Sequence, residues 1–215
     1  MYKNLFVAIA TLMLMVSCSP KKELILIETD YGNMKVSLYD STPKHKENML
    51  KLAKEGYYDG TLFHRVIPGF MIQGGDPDSK GASATQRLGS GGPNYRIDAE
   101  IGAFHYKGTL AAARTGGPGN PEKKSSGSQF YVVQGKPTTA AQLDQMGKPK
   151  GITYSDEAKA RYEKDGGAPF LDGDYTVFGE VIEGMDVIDK IAAVQIGNSD
   201  RPVTDVTMKV KVIKE

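Results

Sequence analysis

The chain has 215 residues, 40% of them hydrophobic and 25% charged, with a formal net charge of +1. That length suits one domain with a full core plus an extra segment. The near-neutral balance argues against a nucleic-acid binder, which usually carries a basic patch and a high pI.

Residues 1–20 read MYKNLFVAIATLMLMVSCSP. One early charge, Lys3, precedes an uncharged run from Leu5 to Val16. The run is short for a bilayer span and has the size of a signal-peptide apolar region. A buried helix is the competing reading, disfavoured because the run has no polar face. The only cysteine, Cys18, follows directly after Ser17 and can form no internal disulfide. Val16, Ser17 and Cys18 resemble a bacterial lipoprotein signal, with Met15 where leucine is usual. The resemblance implies removal of residues 1–17, lipidation of Cys18, and attachment through a linker at 18–23. It places the protein in the bacterial cell envelope. Ser19 leans against an inner-membrane retention signal and towards the outer membrane, facing the periplasm. Losing Lys3 with the signal leaves a formally neutral chain.

The domain is expected over 24–215. Leu24–Thr29 and Met34–Leu38 are rich in strand formers, with turn residues between them, and predict a β-hairpin. STPKHKENMLKLAKEGYYDG then switches to helical periodicity, with Thr42 as cap, Pro43 in the first turn and Gly56 as stop. Met49, Leu52 and Ala53 make its apolar stripe. Its lysines suit a solvated face better than a membrane contact, because Glu47 and Glu55 interrupt them. From 61 to 134, short strands (TLFHRVI, FMIQ, GTLAAAR, GSQFYVVQ) alternate with Gly-rich loops. Residues 135–168 read as an insertion holding one short surface helix, capped by Ser155 and closed by Gly166. A strand, a second amphipathic helix (MDVIDKIAAV) and a terminal strand pairing with the first complete the chain. There is no internal repeat. The pattern predicts a mainly β fold, a closed barrel capped by two helices.

Several site types find no support. The Gly-rich loop around Gly89, Gly91 and Gly92 lacks the Lys-Ser/Thr of a phosphate cradle. His45, His64 and His105 have no partner at metal-ligand spacing, so no metal is expected. His64 alternates with Arg65 along its strand, faces the other way and is expected to be structural. Asp172-Gly173-Asp174 lacks the further ligands of a calcium loop and reads as a tight turn. Ser128 is not in a nucleophile elbow. Any enzyme built from this chain works without covalent catalysis, metal or cofactor.

FHRVIPGFMIQGGDP at 63–77, then GTLAAA, GSQFYVV and PFLDGDYTVFGEVIEGMDVI, resembles the cyclophilins, which are peptidyl-prolyl cis-trans isomerases. The resemblance spans about 24–213. It implies a cyclophilin-like closed antiparallel eight-stranded β-barrel capped by helices, and substrates that are proline-containing polypeptides. By the same resemblance Arg65 is the catalytic donor, and Phe70 and Met71 line the pocket. Gln73 contacts the substrate backbone and orients Arg65. Ala113 and Arg114 flank the peptide before proline. Gln129 is a substrate contact, Tyr131 the pocket floor, and Phe170, Leu171 and Tyr175 the other wall. Phe130, alternating with Gln129 and Tyr131, belongs to the core.

Some positions depart from the family pattern. Tyr131 replaces phenylalanine and brings a hydroxyl near the proline ring. Arg114 replaces asparagine and adds positive charge beside the groove, shifting substrate choice towards acidic residues. Phe170 stands where many eukaryotic members have tryptophan, and Tyr175 where they have histidine. Losing the indole N–H implies weak cyclosporin binding. The insertion, flanked by two site segments, is expected to form a rim beside the groove. With the anchor, the resemblance implies an isomerase that assists folding of exported, unfolded proteins, with a monomer as the default. A non-catalytic peptide-binding or chaperone module using the same groove is the alternative. A surface attachment scaffold is a third reading, but a scaffold has no need of Arg65.

Overall fold

The structure, a computed structural model, describes residues 22–215. The expected signal segment at 1–17 and the lipidation site Cys18 lie outside the described residues. Among the described residues, no helix is long and apolar enough to cross a membrane.

Nine strands form one curled antiparallel sheet, a half-barrel. They are β1 (Glu23–Thr29), β2 (Gly32–Leu38), β3 (Thr61–Leu62), β4 (Arg65–Ile67), β5 (Met71–Gly74), β7 (Thr109–Ala112), β9 (Phe130–Val133), β10 (Val177–Glu183) and β11 (Thr207–Lys214). Short β6 (Arg96–Ile97) and β8 (Ser125–Ser126) pair separately. The sheet order is β3-β11-β1-β2-β10-β7-β9-β5-β4. The first hairpin and the return of the last strand onto the first are as the sequence predicts.

The expected closed eight-stranded ladder differs from this arrangement. TLFHRVI is not one strand: it breaks at Phe63-His64 into β3, which pairs with β11, and β4, which pairs with β5. These are the two ends of the sheet order, so the covalent chain, rather than a hydrogen-bonded ladder, bridges the seam.

Among the described residues there are four α-helices: α1 (Pro43–Lys54), α2 (Ala140–Gly147), α3 (Asp156–Lys164) and α4 (Met185–Ala192). The sequence reading missed α2. Its signal is a capping box in which Thr139 and Gln142 satisfy each other's N-terminal groups. Ser155 caps α3 as expected. Thr42 occupies the N-cap position of α1 without a side-chain cap bond. The carboxylate of Glu100 instead accepts from the Lys44 and His45 N–H groups.

The period-2 alternation of strands builds two apolar layers on opposite faces of the sheet. Val66, Ile72, Leu110, Phe130 and Val132 join the main core with α1 and α4 residues. Phe130 lies edge-on to Tyr58 and Phe63, at centroid distances of 5.7 and 6.3 Å. Burying such a ring contributes about 1.5–3 kcal/mol. Met71, Ala111, Tyr131, Val133 and Val177 form a second cluster on the other face. A third, smaller core holds the 135–168 segment: Leu143, Tyr154, Ala158 and Tyr162 pack on Phe104 and Tyr106.

Candidate active site

The sheet register aligns the candidate residues. Arg65 on β4 faces Gln73 on β5, Gln73 faces Tyr131 on β9, and Tyr131 faces Ala111 on β7. The turn between β4 and β5 carries Pro68 and Gly69. Gly69 supplies the positive φ of +75° that the turn requires. The Phe70 carbonyl then accepts from the Gln134 and Gly135 N–H groups, which fixes Phe70 over the sheet.

A hydrogen-bonded line crosses this face. Arg65 donates from Nε to Asp200 at 3.3 Å and from Nη1 to Gln73 Oε1 at 3.4 Å. Gln73 Nε2 donates to Gln129 Oε1 at 3.1 Å, and Gln129 Nε2 donates to the Gly91 carbonyl at 2.8 Å. Among the described residues, Arg65 Nη2 has no protein partner. The arginine side chain is 43% exposed. Gln73 stands between two open cavities of about 600 and 730 Å³. Gln129, Ala113 and Arg114 line the first, and Arg65, His64 and Asp200 the second.

Asp76, the one carboxylate of the motif, is fully buried and ties down the cavity wall. It accepts from the N–H groups of Asp78 (2.9 Å), Gly89 (2.5 Å) and Gly91 (3.4 Å). Its role is to hold the loop whose Gly91 carbonyl receives Gln129.

Beside the polar line lies the apolar cluster of Met71 and Tyr131, with Phe70, Ala113, Leu171 and Tyr175 packed against it. Phe170 is half exposed and reaches Phe70, with ring centroids 5.1 Å apart. The structure thus brings together every residue the sequence singled out in the domain. Arg114 is held by its own chain. Its guanidinium lies 4.4 Å from the Tyr175 ring centre, Nε donates to the Asp174 carbonyl and Nη1 to that of Thr115. Its charge sits on the cavity wall, tied to its own chain. Both backbone groups of Ala113 are also engaged, with Gln129 and Ser126.

The hydroxyl of Tyr131 turns away from the polar line and bonds His105 Nε2 at 2.9 Å. His105 Nδ1 meets Asp172 Oδ1 at 2.8 Å. Burial first, then Tyr175 and Asp172, push the Tyr131 hydroxyl well above the ordinary tyrosine range, so it remains protonated. Sequence reasoning missed His105 and Asp172. The available signal was Tyr131 itself, because a buried tyrosine hydroxyl needs a partner. It also missed Asp200, which sits with Ser199 in a left-handed stretch (φ +60° and +58°) beside Arg65. His64 lies in the break between β3 and β4 and lines the same cavity as Arg65, where alternation along one strand predicted the opposite face; it is buried, and burial holds its imidazole below the usual range. Among the described residues neither of its ring nitrogens has a partner.

Comparison with known proteins defines the class. Residues 24–212 match the family model of the cyclophilin type peptidyl-prolyl cis-trans isomerase/CLD. A Staphylococcus haemolyticus protein named for peptidyl-prolyl cis-trans isomerase activity is 39% identical over 189 residues, 86% of this chain and 88% of the relative. A crystal structure of a cyclophilin type isomerase from Cryptosporidium parvum superposes with a TM-score of 0.65 at 26% identity, covering 91% of this chain and 99% of that one. A second structure of that protein, in the presence of the dipeptide Ala-Pro, gives 0.61 at 27% identity over 89% and 98%. The chain belongs to the cyclophilin family of peptidyl-prolyl cis-trans isomerases.

Proposed function

We propose that Arg65 catalyses rotation about X-Pro bonds, with the apolar cluster of Met71, Phe70, Tyr131, Leu171 and Tyr175 holding the proline ring. The observation that carries this is the guanidinium itself. It is held at Nε and Nη1 beside an apolar surface, and Nη2 is left to donate.

The chemistry fits such a donor. Peptide-bond rotation faces a barrier of about 18–20 kcal/mol that arises from amide resonance. In the twisted transition state the prolyl nitrogen becomes pyramidal and gains a lone pair. A fixed guanidinium hydrogen-bonds that nitrogen better in the twisted state than in the planar one, which is differential binding. Arginine stays charged throughout. Shortening tens of seconds to milliseconds needs about 10⁴-fold, or roughly 5–6 kcal/mol. One preorganised donor supplies about 3–4 kcal/mol, and orientation in the apolar pocket supplies the rest. Gln73 and Gln129 position the arginine and take the substrate backbone. Phe170 forms the outer wall.

The test is the cis-to-trans rate of a short Ala-Pro peptide. Acceleration that collapses in a folded Arg65→Ala variant supports the reading. A folded wild type without acceleration supports the peptide-binding module instead.

Cys18 and the apolar run before it favour a lipid-anchored form at the outer membrane, facing the periplasm. There a monomeric isomerase would assist the folding of exported proteins, whose slow proline steps limit the rate. Partition of the mature protein into the aqueous phase after detergent phase separation would refute the anchor. The 135–168 segment, which reaches the Phe170 turn through Lys150, supports the rim reading.

A further inference from the structure

The pocket floor is wired to the 135–168 segment. Asp172 is completely buried and lies just beyond the Pro169–Leu171 turn. Four donors converge on its two oxygens. His105 reaches Oδ1 with its backbone N–H and with Nδ1, both at 2.8 Å. Tyr154 and Tyr162 reach Oδ2 with their hydroxyls, at 2.9 and 2.6 Å. A buried carboxylate is tolerated where its lone pairs are filled in this way. The acceptor at Nδ1 fixes the hydrogen there and leaves Nε2 to accept the Tyr131 hydroxyl. The His105 and Tyr131 rings are near-parallel, 9° apart, so this bond also sets the plane of the floor. Five residues meet here, and two of the five, Tyr154 and Tyr162, come from the 135–168 segment.

We propose that Tyr154 and Tyr162, acting through Asp172 and His105, are positioning residues for Tyr131, so that the 135–168 segment is a working part of the proline pocket. This rests on the reading of Tyr131 as the pocket floor. The pocket holds the proline ring in ground and transition states alike. Loosening its floor therefore removes uniform binding, which raises KM and spares kcat. Partial unfolding does the opposite: it lowers apparent kcat at unchanged KM. Loss of the Arg65 donor also falls on kcat.

The experiment is a double-mutant cycle on isomerisation of an Ala-Pro peptide, using the mature protein. The paired variant Tyr154→Phe with Tyr162→Phe keeps both rings and deletes both hydroxyls. KM is expected to rise about tenfold with kcat within about twofold. In a Tyr131→Phe background the same pair is expected to add less than about twofold, because its effect passes through the Tyr131 hydroxyl. Additive losses, an unchanged KM, or a fall confined to kcat would each overturn the proposal. Asp172→Asn, which presents an amide where only acceptors fit, is expected to act like the pair. Affinity for the same peptide, followed by NMR titration, separates the two readings. If wild type binds without accelerating rotation, the isomerase mechanism fails. The coupling then stands or falls on whether the pair weakens binding only when the Tyr131 hydroxyl is present.

Discussion

Asp174 ties the rim of the site together, and its removal has a calculable effect. Its carboxylate pairs with Lys123 and Lys150, each at 2.7 Å, and its backbone carbonyl holds Arg114. Burial pushes its pKa up, but the hydrogen bonds and charges of the two lysines prevail and hold it at about 2, against an ordinary 3.8. That displacement corresponds to about 2.4 kcal/mol. The side chain is 32% exposed, so solvent screening reduces the value to about 1–1.5 kcal/mol. The folded pKa lies below the unfolded one. The stabilisation is therefore present above about pH 4 and is lost as pH falls through about 2. Asp174→Asn should lower the urea-unfolding free energy by about 1–1.5 kcal/mol near pH 6. Roughly a third of that gap should remain near pH 2.5. A gap that persists undiminished in acid would refute the ion-pair argument, since Asn and protonated Asp would then not be equivalent.

Other perturbations have equally definite outcomes. Gly75 has φ +83°, and a methyl group there would run into the Ser128 carbonyl; Gly75→Ala should cost more than about 1 kcal/mol by urea unfolding, and a neutral result would show that the β5–β9 approach is loose. Phe130→Ala should cost about 3–5 kcal/mol in the same measurement, and a loss under 1 would remove Phe130 from the core. Cyclosporin should bind weakly by calorimetry, because Phe170 carries no N–H donor, and a tight complex would contradict the assignment of that wall.

What the sequence revealed was what local pattern carries. The β1–β2 hairpin announced itself through strand formers around turn residues, α1 through Pro43 and Gly56, and the two faces of β9 through the alternation of Phe130 with Gln129 and Tyr131. The FHRVIPGFMIQGGDP stretch was long enough to point to the family by resemblance. What remained hidden depends on partners far apart in the chain. Asp172 reads locally as a turn residue, and only folding brings it to His105, Tyr154 and Tyr162. Asp200 meets Arg65 across 135 positions. The partners of Arg114, the Tyr175 ring and the Asp174 carbonyl, are not its neighbours in sequence and so could not be read there. The break at Phe63-His64 was invisible because both halves of TLFHRVI have the composition of a strand, and it is the curl of the sheet that makes them diverge.

The central claim is that Arg65 acts as a fixed, forked donor and not merely as a positive charge. The most direct measurement is kcat/KM on an Ala-Pro peptide for Arg65→Lys beside Arg65→Ala, each checked for folding. Lysine offers a point charge but no fork to be held by Asp200 and Gln73 while still donating. Both variants should therefore fall by about 10²–10³-fold. A lysine variant that keeps most of the activity would reduce the arginine to its charge, and an alanine variant that does so would remove it from catalysis.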